Sequence, residues 1–133
     1  MLTSNSIIMI IDTAENRSVL KKDLQQLGYS LTLEASDLDD AMLKIQESTV
    51  GGKPVSLIMC DWSATKVGGN SLIGKFRASP LLITTPIIML VSNLELSQAL
   101  VSASVHINGY LVKPYSMEVL KNSLPMALAN KVV

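Results

Sequence analysis

A doubly wound α/β fold, built on a five-stranded parallel sheet, is what this sequence predicts, on three observations. Apolar runs at residues 7–11 (IIMII), 55–60 (VSLIMC) and 86–91 (PIIMLV) are short and rich in β-branched residues, the pattern of strands covered on both faces. Between these runs the apolar spacing lengthens to the helical period, so strand and helix alternate along the chain. The first two runs each meet a carboxylate, Asp12 and Asp61, at the strand ends outside which such sheets bind ligands.

The elements follow in order. After the strand Ile7–Ile11, a helix is expected over Ala14–Leu27, with Val19, Leu20, Leu24 and Leu27 on one face and Gly28 as its stop. Leu31, Leu33 and Ala35 alternate, which suggests a strand nearer an edge. Ser36-Asp37-Leu38-Asp39 resembles a capping box ahead of Ala41, Met42 and Ile45, although Asp stands where Glu or Gln is usual. The strand Val55–Cys60 precedes a helix starting near Asn70, and the strand Pro86–Val91 precedes one near Asn93. A fifth strand falls within Ile107–Val112, weakened by Gly109, and a last helix starts near Ser116. Asn70, Asn93 and Ser116 are all good N-cap types. Residues 49–54 and 66–69 read as short loops within a single domain spanning residues 1–133.

Composition narrows the functions. The chain has 133 residues, 48% apolar and 17% charged, which fits one packed core and opposes disorder. Eleven basic and eleven acidic residues cancel, so nothing favours direct contact with nucleic acid or an anionic membrane surface. No signal peptide or membrane anchor is legible, and a cytoplasmic setting is expected. Cys60, the single cysteine, cannot form an internal disulfide and reads as a buried structural thiol.

Asp12 and Asp61 would emerge on one edge of a parallel sheet, where two carboxylates can share a hard cation such as Mg²⁺. Ser92 follows Val91 and Lys113 precedes Pro114, so a hydroxyl and an ammonium reach the same edge. With these residues in place, the chain resembles, over nearly its whole length, the receiver domain of bacterial two-component response regulators, the CheY-like fold. Asp61-Trp62 stands at the family's phosphoacceptor, Ser92 at its hydroxyl position, and Gly109-Tyr110-Leu111-Val112-Lys113-Pro114 at its G-Y-L-V-K-P signature.

That resemblance implies a phosphorelay module. Asp61 would accept a phosphoryl group from a histidine kinase or phosphotransfer protein, and a downstream signalling protein would read the result. Lys113 and Ser92 would bind the phosphoryl group, and Tyr110 would be the switch ring. Mg²⁺ would be held by Asp12, Asp61 and the backbone carbonyl of Ser63. The module itself would not be an enzyme.

The sequence also departs from the family. Receivers carry two adjacent acids after the first strand; counting back from Gly28, Asp12 fills the second place and Ile11 the first. Losing an outer carboxylate commonly costs about 10- to 100-fold in metal affinity, so the Mg²⁺ site is expected to be weak or absent. Thr65, Gly68 and Asn93 also differ from the usual proline, acid and small residue. With Asp12, Asp61 and Lys113 the site carries about −1 rather than the usual −2, which lets Lys113 offset more of the repulsion without a cation. His106, the only histidine, reads as an exposed helix-end residue.

Two readings compete: a phosphorylated receiver, and a pseudo-receiver that binds partners regardless of phosphate. Other α/β enzymes fit poorly. Dehalogenase-type phosphatases need an acid where Ala14 stands, the Rossmann and P-loop glycine motifs are missing, and Asp12–Asn16 is a poor FMN phosphate loop.

Overall fold

Five parallel strands alternate with five helices in the computed structural model, which describes residues 2–64, 69–103 and 107–129. Thr65, Gly68 and His106 lie outside the described residues. The elements run β1 (Ile7–Ile11), α1 (Ala14–Gln26), β2 (Thr32–Ala35), α2 (Leu38–Val50), β3 (Val55–Asp61), a 3₁₀ turn (Trp62–Ala64), α3 (Gly69–Ala78), β4 (Ile87–Val91), α4 (Asn93–Ala103), β5 (Gly109–Val112) and α5 (Met117–Ala129). Strand order is β2-β1-β3-β4-β5. The alternating segment around Leu33 is therefore an edge strand, as its half-exposed pattern predicts. The order reverses between β1 and β3, the crevice where doubly wound sheets bind ligands.

Every residue of β1 and β4 is buried, because helices cover both faces of the sheet. Side chains alternate between two apolar layers. Met9, Ile11, Ile58, Cys60, Met89 and Val91 pack with Ala41 and Ile45 of α2 and Phe76 of α3. Ile8, Ile10, Leu57, Met59, Leu90 and Leu111 pack with Leu20 and Leu24 of α1 and Leu120 and Leu124 of α5. Burying each such large side chain favours folding by about 1.5–3 kcal/mol. No helix among the described residues is long and apolar enough to cross a membrane.

One helix face and two helix ends depart from the sequence reading. In α1, Leu20 and Leu24 are buried, but Val19 is 57% exposed and does not share their face. Gly28 does stop that helix: at φ +96° it lets Tyr29 N–H reach back to the Leu24 carbonyl at 2.9 Å. The cap of α2 is Asp37 rather than Ser36, and its carboxylate accepts from Asp40 N–H at 2.9 Å. Ser92, not Asn93, caps α4: its hydroxyl accepts from Glu95 N–H at 3.2 Å while Ser92 N–H donates to Glu95 Oε1 at 2.9 Å. Ser and Glu three apart satisfy each other's orphan groups.

The loop between α3 and β4 is held by Arg77. Its guanidinium donates to the carbonyls of Leu82 at 2.8 Å and Thr85 at 2.7 Å, and to Asn108 Oδ1 at 3.1 Å. Asn108 Oδ1 also accepts from Ile87 N–H at 2.9 Å, so the loop is tied to the entrance of β5.

Candidate functional site

Strand alternation decides which side chains meet. Ile10, Met59 and Ile88 lie in register across β1, β3 and β4. Asp61 pairs with Leu90, and Leu90 with Leu111. Counting in twos from these partners, Asp12, Asp61, Ser92 and Lys113 share the phase of the layer covered by α1 and α5. Ile11 and Tyr110 have the opposite phase. Backbone bonds extend this order past the strand ends: Asp12 N–H donates to the Ala35 carbonyl at 3.2 Å and Lys113 N–H to the Val91 carbonyl at 2.8 Å.

Lys113 and Asp61 meet in an ion pair, Nζ to Oδ1. The Asp61 side chain is 3% exposed and that of Lys113 29%, so the carboxylate is buried while the ammonium reaches solvent. The second oxygen, Oδ2, accepts from Ser63 N–H at 3.1 Å and from Ser63 Oγ at 2.6 Å. Both oxygens of Asp61 are thus occupied by protein donors. The contacts of Ser63 with Asp61 are made by its N–H and hydroxyl, whereas the role expected of Ser63 rests on its carbonyl.

Asp12 is 2% exposed. Its Oδ1 accepts from Thr13 N–H at 2.6 Å and from Asn16 Nδ2 at 3.2 Å, both at the start of α1. Burial raises its pKa above the ordinary carboxylate value, and the charge of Asp61 raises it further, against those hydrogen bonds and Lys113. Asn16 is a partner the sequence reading missed; its place four residues after Asp12, one helical turn on, was the available signal. Arg17 donates to the Asp12 carbonyl at 2.8 Å and to Ser36 Oγ at 2.6 Å, bracing the ends of β1 and β2.

The remaining candidates sit differently. The hydroxyl of Ser92 caps α4 through the Ser92–Glu95 pattern, a signal that S-N-L-E offered in the sequence. Tyr110 is half-buried against the layer of α2 and α3, where burial pushes its phenol pKa up. Ile11 is fully buried in that same layer, so its side chain points away from the two acids. Cys60 is buried too, and burial followed by the charges of Asp61 and Asp12 raises its thiol pKa. It is a core residue and a poor nucleophile.

Beside the acids a groove of about 480 Å³ runs between α1 and the turn after β5, with Asp12, Asn16, Val19, Asp23, Lys113 and Tyr115 among its walls. No cluster of three or more His, Cys, Asp or Glu poised for a metal occurs among the described residues. The two acids nonetheless fit a hard cation in kind: both are almost wholly buried, and the charge of one raises the proton affinity of the other.

Fold and site define a class, an α/β module with a carboxylate–lysine site at the carboxyl edge of its parallel sheet. Comparison with known proteins decides the family: the model of the response regulator receiver domain matches residues 7–125, and the chain belongs to that family. Chemotaxis protein CheY1 of Helicobacter pylori strain J99 is 27% identical over 122 residues, covering 92% of this chain and 95% of its own. The structure of chemotaxis response regulator CheY4 of Vibrio cholerae matches with a TM-score of 0.75 and 24% identity, over 92% of this chain and 97% of that one. The receiver domain of a Pseudomonas aeruginosa sensor histidine kinase, solved with a magnesium ion in its active-site cleft, matches with a TM-score of 0.71 and 24% identity, over 88% and 91%. Receiver domains are in general signalling modules of two-component systems rather than classical enzymes.

Proposed function

We propose that the chain, as one domain, is a phosphorelay receiver that accepts a phosphoryl group on Asp61 through a weakened Mg²⁺ site. The observation that carries this reading is the Lys113–Asp61 ion pair at the strand edge beside Asp12. An oxygen of Asp61 attacks the phosphorus of a phosphohistidine on a kinase or phosphotransfer protein. The P–N bond breaks, and the leaving imidazole keeps the electron pair. Lys113 moves from the carboxylate toward the incoming phosphoryl oxygens, whose charge it offsets. Ser92 donates its hydroxyl proton to the same oxygens; in its cap the hydroxyl acts as acceptor, so that proton remains available. Tyr110, on β5, turns inward as Ser92 moves, and a downstream signalling protein reads the change.

Asp12, Asp61 and the Ser63 carbonyl would hold Mg²⁺, which when bound neutralises the transferring oxygens. Weakness follows from Ile11, whose side chain supplies no oxygen and lies in the opposite apolar layer. Phosphoramidate with Mg²⁺ tests the reading: intact mass should rise by one phosphoryl group slowly or incompletely, and not at all in Asp61→Asn. Rapid, complete modification would show that Ile11 is no handicap.

A second reading, a pseudo-receiver that binds partners without phosphate, draws on the protein donors, Lys113 and Ser63, that occupy both oxygens of Asp61. Unmodified protein at high phosphodonor and high Mg²⁺ selects it.

A further inference from the structure

Lys113 can meet Asp61 only if the turn that carries it is held in place, and three anchors hold it. At its start, Lys113 N–H is bonded to the Val91 carbonyl at 2.8 Å. At its end Ser116 caps α5, its hydroxyl accepting from Val119 N–H at 3.1 Å and its carbonyl from Leu120 N–H at 3.0 Å. Between them Pro114 is exposed, and Tyr115 lays its ring against the layer shared by α1 and α5. The Tyr115 hydroxyl then donates to Asp23 Oδ2 on α1 at 2.9 Å, 92 residues away in sequence.

Packing alone does not require that hydroxyl, since phenylalanine would fill the same space. Burial, the bond to Asp23 and the charges of Asp23 and Asp12 all push the Tyr115 phenol pKa up, so the group remains a donor throughout the physiological range. Asp23, Tyr115, Lys113 and Asp12 border one groove. The bond therefore spans the space beside the ammonium and ties its turn to the helix whose first turn, at Asn16, holds Asp12.

We propose that Tyr115 is a positioning residue: its hydroxyl bond to Asp23 fixes the β5–α5 turn on α1 and thereby sets where Lys113 delivers its ammonium to Asp61. The inference rests on the proposed function for its consequence, faster phosphorylation, but not for its geometry. Lysine has a long side chain with several rotatable bonds, so a small displacement of its turn redistributes its rotamers away from the ion pair.

Two readouts separate this role from mere stability. The first is the NMR signal of the Lys113 ε-methylene, assigned with Lys113→Arg and recorded without phosphodonor. In Tyr115→Phe it should move toward the position of exposed lysines, while the Lys44 and Lys121 signals stay put. The second is the rate of modification by phosphoramidate. Tyr115→Phe and Asp23→Ala should each slow it by about 3- to 10-fold, the range one hydrogen bond supports, and the double variant should be no slower than either. Asp23→Asn keeps an acceptor and should retain most of the parent rate and the parent Lys113 signal. A Lys113 signal unchanged in a folded Tyr115→Phe overturns the proposal, as does a double variant whose losses multiply. If the parent takes no phosphoryl group, the receiver reading fails on that result, and the Lys113 signal still decides the role of Tyr115.

Discussion

Asp12 accepts two hydrogen bonds and yet holds its proton more tightly than an ordinary aspartate, because burial and the neighbouring Asp61 outweigh them. A carboxyl group whose folded pKa lies above its unfolded one binds extra proton in the folded state. Its ionisation therefore lowers stability at neutral pH, and the loss is recovered as pH falls through the folded pKa toward about 4. Asp12→Asn removes that linkage. In chelator-treated protein, urea unfolding should show the variant gaining on the parent at pH 7 and losing that advantage near pH 4. Parallel curves would mean that burial and the charge of Asp61 do not outweigh the hydrogen bonds that Asp12 accepts. Asp12, Asp61 and Lys113 were legible in the sequence because each stands at the end of a strand, where alternation fixes the direction of the side chain. The Tyr115–Asp23 bond was not legible, since it joins positions far apart in sequence with no period relating them.

At the scale of elements, apolar runs located the strands to within a residue or two, with β5 trimmed to Gly109–Val112 and β3 extended to Asp61. Caps were less legible. Ser36 and Asp37 are both good N-cap types, as are Ser92 and Asn93, and only the side chain that actually reaches the third amide decides between neighbours. Pro125 lies inside α5, which continues through it to Ala129 because Leu120, Leu124 and Ala127 are buried on one face. Tertiary packing outweighs the missing N–H there. Gly28 was read correctly, since only glycine adopts its positive φ without strain. A Cβ at Gly28 would meet nothing within 4 Å, so Gly28→Ala isolates the backbone cost. Thermal or urea unfolding should show a loss of about 1–2 kcal/mol; a neutral result would mean that the end of α1 relaxes into another conformation.

For the whole molecule, the two apolar layers divide the labour: one carries the site at its carboxyl edge, and the other is core to its end. Ile11 belongs to the second, with Met9, Cys60 and Trp62. Ile11→Asp should therefore lower stability by about 3–5 kcal/mol in chelator, the cost of an uncompensated buried charge. Mg²⁺ should restore more stability to the variant than to the parent, as the strand end turns its new carboxylate toward the other two. Urea unfolding with and without Mg²⁺ checks both parts, and a variant that stays folded but gains nothing from Mg²⁺ would acquit Ile11 of weakening the site. The sheet itself was legible from alternating strands and helices, and its edge strand from the half-exposed pattern around Leu33. That Ile11 faces away from Asp12 follows from the same alternation, but which helices cover its side was not legible, because that depends on how the helices distribute over the two faces of the sheet.

The knot around Arg77 bears on how this chain can change length. Surface loops commonly absorb insertions and deletions, and several residues between α3 and β4 are exposed. Here, however, a single guanidinium spaces the carbonyls of Leu82 and Thr85 against the side chain of Asn108. One residue added between Leu82 and Thr85 would disturb the spacing of those two carbonyls around a half-buried cation. A longer loop would therefore have to rebuild the contacts of Arg77 as well as its own turn.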